Sequence, residues 1–194
     1  MRGTTITVVE ASTWRSKTLQ ELDDLRLRAA ELEIGDPTTL TFCLPDLADP
    51  EALRALCESS KSMVGAASPA IYCFEMERLE LGEAMMRAFE DRLLTCPETQ
   101  RAFRYSRVNP TAGTTTLYVG SSKSFASRFS QHLGRTGSPG TYSMRLANWA
   151  TEIDASISVS VWTFDTGISQ AVLELYEQAL WDLRQPLLGK RSGK

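Results

Sequence analysis

Three side chains in the C-terminal half have types and spacing suited to phosphoryl chemistry. In LYVGSSKSFASRFSQHLG, residues 117–134, Arg128 and His132 stand four apart, and His132 is the only histidine of the chain. Phe125, Phe129 and Leu133 recur at i, i+4 and i+8 as the buried stripe of a helix. Arg128 and His132 each precede a stripe residue, so they project together along its edge, near the end of the strand that carries Tyr118. A guanidinium and an imidazole there can contact a phosphate; a surface arginine beside a half-buried histidine fits the same pattern. Glu177 is the third. It shares a helix face with Leu173 and Leu180, where a carboxylate is costly unless it is paired or binds a metal. Glu174 falls with Gln170 and Gln178 and is expected to be solvated. Glu177 has no lysine or arginine within one turn on its own face, which favours a metal-ligand role over a structural salt bridge.

The elements that must position these groups follow from periodicity. TITVV, near the N-terminus, reads as a strand, and TLQELDDLRLRAAELEI as a helix with Leu22, Leu25, Ala29 and Leu32 on one face. TLTFCL is a second strand. Asp49 before Pro50 is an N-cap and N1 pair opening the helix EALRALCESS. The Gly- and Ser-rich SSKSMVGAASP marks the expected domain boundary, placing an N-terminal α/β segment at 1–62 and a second domain at 66–194. In the latter, AIYCFEM is a strand entered through Pro69, GEAMMRAFEDRLL an acidic helix, AFRYSRV a strand or extended loop, and TTTLYVG a strand after the turn residues NPTAG. The helix KSFASRFSQHL has Ser122 or Ser124 as N-cap and Gly134 as terminator. A short helix is expected in YSMRLANWA, then the alternating strand SISVSVWTF and the helix ISQAVLELYEQALWDLR, stopped before Pro186.

Composition bounds the class. The 194 residues, 42% apolar, suit one large domain or two small ones. No apolar run approaches the ~20 residues that span a bilayer, and MRGTTITVVEAS lacks the features of a signal peptide, so a cytoplasmic location without membrane association is expected. Cys43, Cys57, Cys73 and Cys96 lack C-x-x-C spacing, which argues against a zinc site and for reduced, mostly buried thiols. The net charge of −3 divides unevenly: residues 1–100 carry 10 Lys+Arg against 18 Asp+Glu, and residues 101–194 carry 11 against 6. The basic half is suited to phosphates, though an ordinary solvated surface has the same composition.

Together these residues resemble the GIY-YIG nuclease domain. The resemblance rests on Tyr118-Val119-Gly120, Arg128 ten residues after the tyrosine, His132 four further on, and Glu177 on a late helix with Pro186 nine residues beyond. For the first half of the signature, Ala70-Ile71-Tyr72 offers alanine in place of glycine and requires a helical insertion around 77–110 before Tyr118. Tyr105 offers ordinary hairpin spacing without the glycine or isoleucine. Tyr72 is the preferred match and Tyr105 the alternative. The second histidine that some relatives carry is missing, its role absent or taken by Tyr142.

The resemblance implies a small central antiparallel sheet flanked by helices, and metal-dependent hydrolysis of nucleic-acid phosphodiesters, DNA above all. In its terms Glu177 holds one Mg²⁺ or Mn²⁺, Arg128 bridges phosphate oxygens, Tyr118 positions or deprotonates the attacking water, His132 is its relay or an alternative base, and Tyr72 completes the polar floor. A phenol with a pKa near 10 needs help from cationic groups to act as a base. Gly120, Ser122, Lys123, Tyr142 and Arg145 are the expected substrate-binding residues. The modest number of basic residues implies that affinity depends on a second copy of the chain or on a partner protein, engaged through the N-terminal segment. Alternatives are a GIY-YIG-like binding module without turnover and an interaction subunit of a larger nuclease system.

Overall fold

The computed structural model describes residues 11–96, 103–137 and 139–192. The strand expected at TITVV lies outside them. The chain divides after Ile34 into two compact units. The first contributes one described element, α1 (Ala11–Ala30). This helix begins earlier than the apolar periodicity suggests, because WRSKTLQ contains no residue that breaks a helix. It also ends before Leu32, and Leu22 on its expected apolar face is exposed.

The second unit is α/β, a four-stranded antiparallel sheet with four α-helices among the described residues. It comprises β1 (Thr38–Cys43), a 3₁₀ turn, α2 (Pro50–Val64), β2 (Ala70–Met76), α3 (Leu81–Thr95), β3 (Thr116–Ser122), α4 (Phe125–Leu133), a 3₁₀ turn at Leu146–Asn148, β4 (Ser156–Thr163) and α5 (Gln170–Arg184). The strand order is β1-β4-β2-β3. Because β1 pairs with β4 along its whole length, from Thr38 opposite Val161 to Cys43 opposite Ser156, residues 35–62 are built into the same sheet. The boundary expected near residue 62 is therefore corrected to Ile34. The Gly/Ser-rich stretch is only the end of α2, where Gly65 takes φ +83°, and the turn into β2.

Burial explains each strand. β1 and β4 alternate, with Leu40, Phe42, Ile157, Val159 and Val161 inward and the serines of β4 half-buried, as half-covered strands require. β2 is central and is buried on nearly every residue. Asp49 caps α2 by accepting from the Glu51 N–H at 2.9 Å. Ser169 caps α5 through the Val172 N–H, and Gly134 ends α4 in the left-handed conformation at φ +97°. α4 packs on α2 and β3, and α5 on β3 and β2.

One expectation needs amendment. YSMRLANWA forms only the 3₁₀ turn, because Arg145 sits in the left-handed region at φ 56° and interrupts helical geometry. Of the two readings of AFRYSRV, the described residues 103–108 take the loop, with isolated bridges from Tyr105 to Ser143 and from Val108 to Leu188. Cys57 and Cys73 are buried thiols and Cys43 is a thiol exposed on the edge strand; burial pushes the Cys73 thiol up to about 12. Among the described residues no helix is long and apolar enough to cross a membrane.

Candidate active site

The antiparallel register of β2 and β3 places Tyr72 opposite Gly120 and Phe74 opposite Tyr118. Side chains two apart on a strand share a face, so both phenols lie over the Gly120 position. Their rings stack at 6.3 Å between centroids, 12° from parallel. A β-carbon on Gly120 would stand 2.7 Å from the Tyr72 hydroxyl and 2.7 Å from a ring carbon of Tyr118. Gly120 is therefore required by space rather than by backbone conformation. Gly120→Ala is expected to cost about 1–3 kcal/mol through overpacking. Urea unfolding measures this, and a variant as stable as the parent would mean that the phenols are not seated there.

Tyr105 is not part of this cluster. Its hydroxyl accepts from Arg92 Nε and from Asn148 Nδ2, each at 3.2 Å, and its ring packs edge-on against Phe89. Of the two tyrosines considered for the first motif, Tyr72 is the one beside Tyr118.

His132 is fully buried, not half-buried, with its ring 4.4 Å from that of Tyr118. The Met144 backbone N–H reaches its Nδ1 at 3.3 Å, and Tyr72 Oη lies 3.3 Å from its Nε2. A backbone N–H can only donate, so in the neutral ring Nδ1 accepts, the proton sits on Nε2, and Tyr72 Oη receives it. Burial, with Arg128 and Arg145 nearby, holds the His132 pKa well below its usual 6.5. Taking up a proton at Nδ1 would cost the Met144 hydrogen bond as well as the burial penalty, so the ring is held neutral and is placed to orient the Tyr72 hydroxyl.

This has a consequence for acid stability. Between its depressed folded pKa and 6.5 the unfolded chain binds the imidazole proton and the folded chain does not, so stability is complete above about pH 6.5 and falls as pH drops below it, by at most about 1.4 kcal/mol per pH unit. Glu177, whose pKa is raised, acts in the opposite sense above 4.5. Comparing the parent with His132→Gln in urea at several pH values isolates the histidine contribution. Parallel profiles would refute it.

Burial is also the largest influence on both phenols, raising Tyr72 well above 10 and Tyr118 above it. The Arg128 charge works against this rise in both, and the Glu177 charge adds to it. Both phenols thus feel a cation from α4 and a carboxylate from α5. The half-buried Arg128 guanidinium is braced by Gln131 Oε1 at 2.7 Å and by the Tyr142 carbonyl.

Glu177 is 7% exposed on the apolar face of α5. One of its oxygens accepts from Ser121 Oγ and the other from Ser192 Oγ at 2.5 Å. By strand alternation Ser121 points to the opposite face from Tyr118 and Gly120, so the carboxylate reaches the edge strand β3 from the α5 side. Burial raises its pKa, with the two serine hydroxyls opposing the rise. No cation pairs with it among the described residues. Glu174, by contrast, accepts from Gln170 at 2.9 Å on the exposed side of the helix, as expected.

Whether this set suits a metal depends on the ion. Among the described residues no three His, Cys, Asp or Glu side chains converge, which does not suit zinc. A buried carboxylate without a counter-charge suits Mg²⁺ or Mn²⁺, since Mg²⁺ is commonly held by one or two carboxylates together with substrate phosphates and water.

The expected substrate-binding residues separate. Gly120 is at the centre, and Tyr142 is 52% exposed with the Arg104 guanidinium 5.3 Å from its ring centroid. Ser122 is used in the turn into α4, where its hydroxyl donates to the Ser124 carbonyl and accepts from the Ser124 N–H. Lys123 donates to the Ile168 carbonyl. Arg145 is 2% exposed, its guanidinium 4.0 Å from the centre of the Phe103 ring, so it is corrected from a substrate contact to a packed side chain. Sequence reasoning missed the C-terminal tail. Leu187 and Leu188 hydrogen-bond to the edge of β3, Gly189 (φ +119°) lies against Tyr118, and Ser192 reaches Glu177. The signal available was the basic, glycine-containing run that follows Pro186.

No protein-family model, curated protein or solved structure matches the chain.

Proposed function

We propose that the chain is a metal-dependent endonuclease of GIY-YIG type that hydrolyses phosphodiester bonds, most readily in DNA. The observation that supports this best is the stacking of Tyr72 on Tyr118 with Arg128 hydrogen-bonded to both, and, on the Ser121 side of the same edge strand, the buried Glu177 carboxylate without a counter-cation among the described residues. With α3 taken as the helical insertion between the two tyrosine strands, the order β2, β3, α4, β4 and α5 is compatible with that reading. Glu177 is the residue that would hold Mg²⁺ or Mn²⁺, and an ion bound there supplies Lewis-acid stabilisation of the negative charge that grows on the leaving 3′ oxygen.

The other roles belong to the chain itself. Arg128 presents its fork to the phosphate oxygens and favours the more negative transition state. Water attacks phosphorus as the bond to the 3′ oxygen breaks, and Tyr118 orients that water. Neutralising Glu177 removes the carboxylate charge that opposes ionisation of Tyr118, while Arg128 continues to favour it, so Tyr118 comes closest to acting as a base in the charge-balanced site. Tyr72, held by His132, forms the floor.

The test is nicking of supercoiled plasmid, and cutting of branched DNA and of RNA, with Mg²⁺ or Mn²⁺ and with EDTA. Divalent-dependent cleavage is expected; no cleavage of any substrate with either ion would overturn the assignment. The upward shift of both phenols favours, as second reading, a binding module without turnover, and salt-sensitive binding without cleavage is the result it requires.

A further inference from the structure

Next to the candidate site lies a cleft of about 420 Å³ lined by Ser106, Arg107, Tyr118, Tyr142, Gly189 and Lys190. Of these only Tyr118 belongs to the catalytic cluster. The others come from the β2–β3 connection, the loop after α4 and the tail after α5. Three features of the cleft point to a ligand.

First, its cations are unneutralised. Arg26, Arg54, Lys61, Arg78, Arg184 and Arg191 each pair with a carboxylate, whereas Arg107, Lys190 and the adjacent Arg104 pair with none among the described residues. Second, Ser106 lines the cleft at 6% exposure and its Oγ has no hydrogen-bond partner among the described residues, and a buried hydroxyl left unpaired is a cost to the fold. Third, the half-exposed Tyr142 ring, with the Arg104 guanidinium over one face at 5.3 Å from its centroid, leaves its other face as a stacking platform for a base.

We propose that this cleft receives a single unpaired nucleotide next to the scissile phosphodiester, its base against Tyr142 and its phosphate between Arg107 and Lys190. The enzyme accordingly prefers nucleic acid containing an unpaired nucleotide over continuous duplex. The word scissile rests on the nuclease reading; the nucleotide site itself does not. The volume lies at the lower end of the range of roughly 300–1,000 Å³ typical of sites for one small ligand, so a base enters only after leaving its stack. Unstacking costs a few kcal/mol in paired duplex and least at an unpaired position, which is the source of the preference.

Binding to Glu177→Gln, without divalent ions, separates this proposal from catalysis. The probes are oligonucleotides carrying one 2-aminopurine, either as a single-nucleotide bulge or paired in the same sequence, each made as DNA and as RNA. The bulged probe should bind at least tenfold tighter than the paired one in DNA or in RNA, with quenching of its fluorescence. Tyr142→Ala should restore most of the fluorescence and remove most of the preference. Replacing Arg107 and Lys190 together by Gln should lower the slope of log affinity against log salt by about 0.7–0.9, the contribution of the one phosphate that the two cations share. All three side chains are exposed, and unchanged melting temperatures confirm folding.

Equal binding of bulged and paired probes in both DNA and RNA overturns the proposal. So does quenching that survives Tyr142→Ala in the folded variant. Cleavage by the parent without bulge preference removes this proposal and keeps the nuclease reading. Tyr142-dependent bulge preference without cleavage keeps the cleft and removes the nuclease reading.

Discussion

Glu177→Gln is expected to abolish divalent-dependent cleavage and to leave a protein at least as stable as the parent at neutral pH. The loss follows from the group removed. A hard cation supplies several kcal/mol of transition-state stabilisation, and about 1.4 kcal/mol corresponds to a decade in rate, so a fall of roughly 10³-fold or more is the expected scale. The stability result follows from burial. The folded-state pKa of Glu177 is raised, so the folded protein holds the carboxyl proton more tightly than the unfolded chain. Above the folded pKa the ionised carboxylate is a net burden on the fold, and below 4.5 that burden is gone. Glutamine keeps the shape and can still meet Ser121 and Ser192, whose hydroxyls both donate and accept.

Two thermal readouts complete the test. The advantage of the variant over the parent should shrink as pH falls towards 4.5, and added Mg²⁺ should raise the melting temperature of the parent but not of the variant. An active variant would remove Glu177 from the site. A variant much less stable than the parent would mean that the carboxylate is paired with a cation.

The parts legible in the sequence were those set by local periodicity. β2, β3, α4, β4 and α5 fall where alternation or helical spacing places them, and Asp49 and Gly134 act as the boundary residues their types suggest. The charges of Arg128 and Glu177 both act on Tyr118 because α4 and α5 each pack on β3. The rest depends on pairings between distant segments. β1 joins β4 across more than half the chain, so a change in composition near residue 62 had no bearing on the boundary. The choice between Tyr72 and Tyr105 turned on strand register, which spacing alone does not determine; only the strand opposite Gly120 brings a phenol over that position. Arg145 was expected to bind substrate, but at its left-handed backbone position the side chain packs on Phe103. The tail at 187–192 has no period of its own and acquires structure by lying along β3 and α5.

Arg128→Ala is expected to lower turnover by about 10³-fold or more, the scale on which an arginine acts at a transferring phosphoryl group, with the loss in kcat rather than KM. Arg128→Lys should recover little of it. Gln131 and the Tyr142 carbonyl each engage one terminal nitrogen of the guanidinium, and the two phenols also hydrogen-bond it; this bracing fixes the plane that, on the proposed function, would meet the phosphate. An ammonium keeps the charge but has no plane to set. The residue is half-buried and reaches the Tyr142 loop only through a carbonyl, so the variants should fold. The electrostatics offer a readout independent of activity. Arg128 depresses the His132 pKa, second only to burial, and His132 is the sole histidine, so its ring protons give one titration curve in an NMR spectrum. That curve should move upward in Arg128→Ala, stay below 6.5 because the ring remains buried, and return towards the parent position in Arg128→Lys. A lysine variant that restores the titration but not turnover would separate the charge of Arg128 from its planar fork and assign catalysis to the fork. A lysine variant with near-parental turnover would reduce the role of Arg128 to that of a point charge.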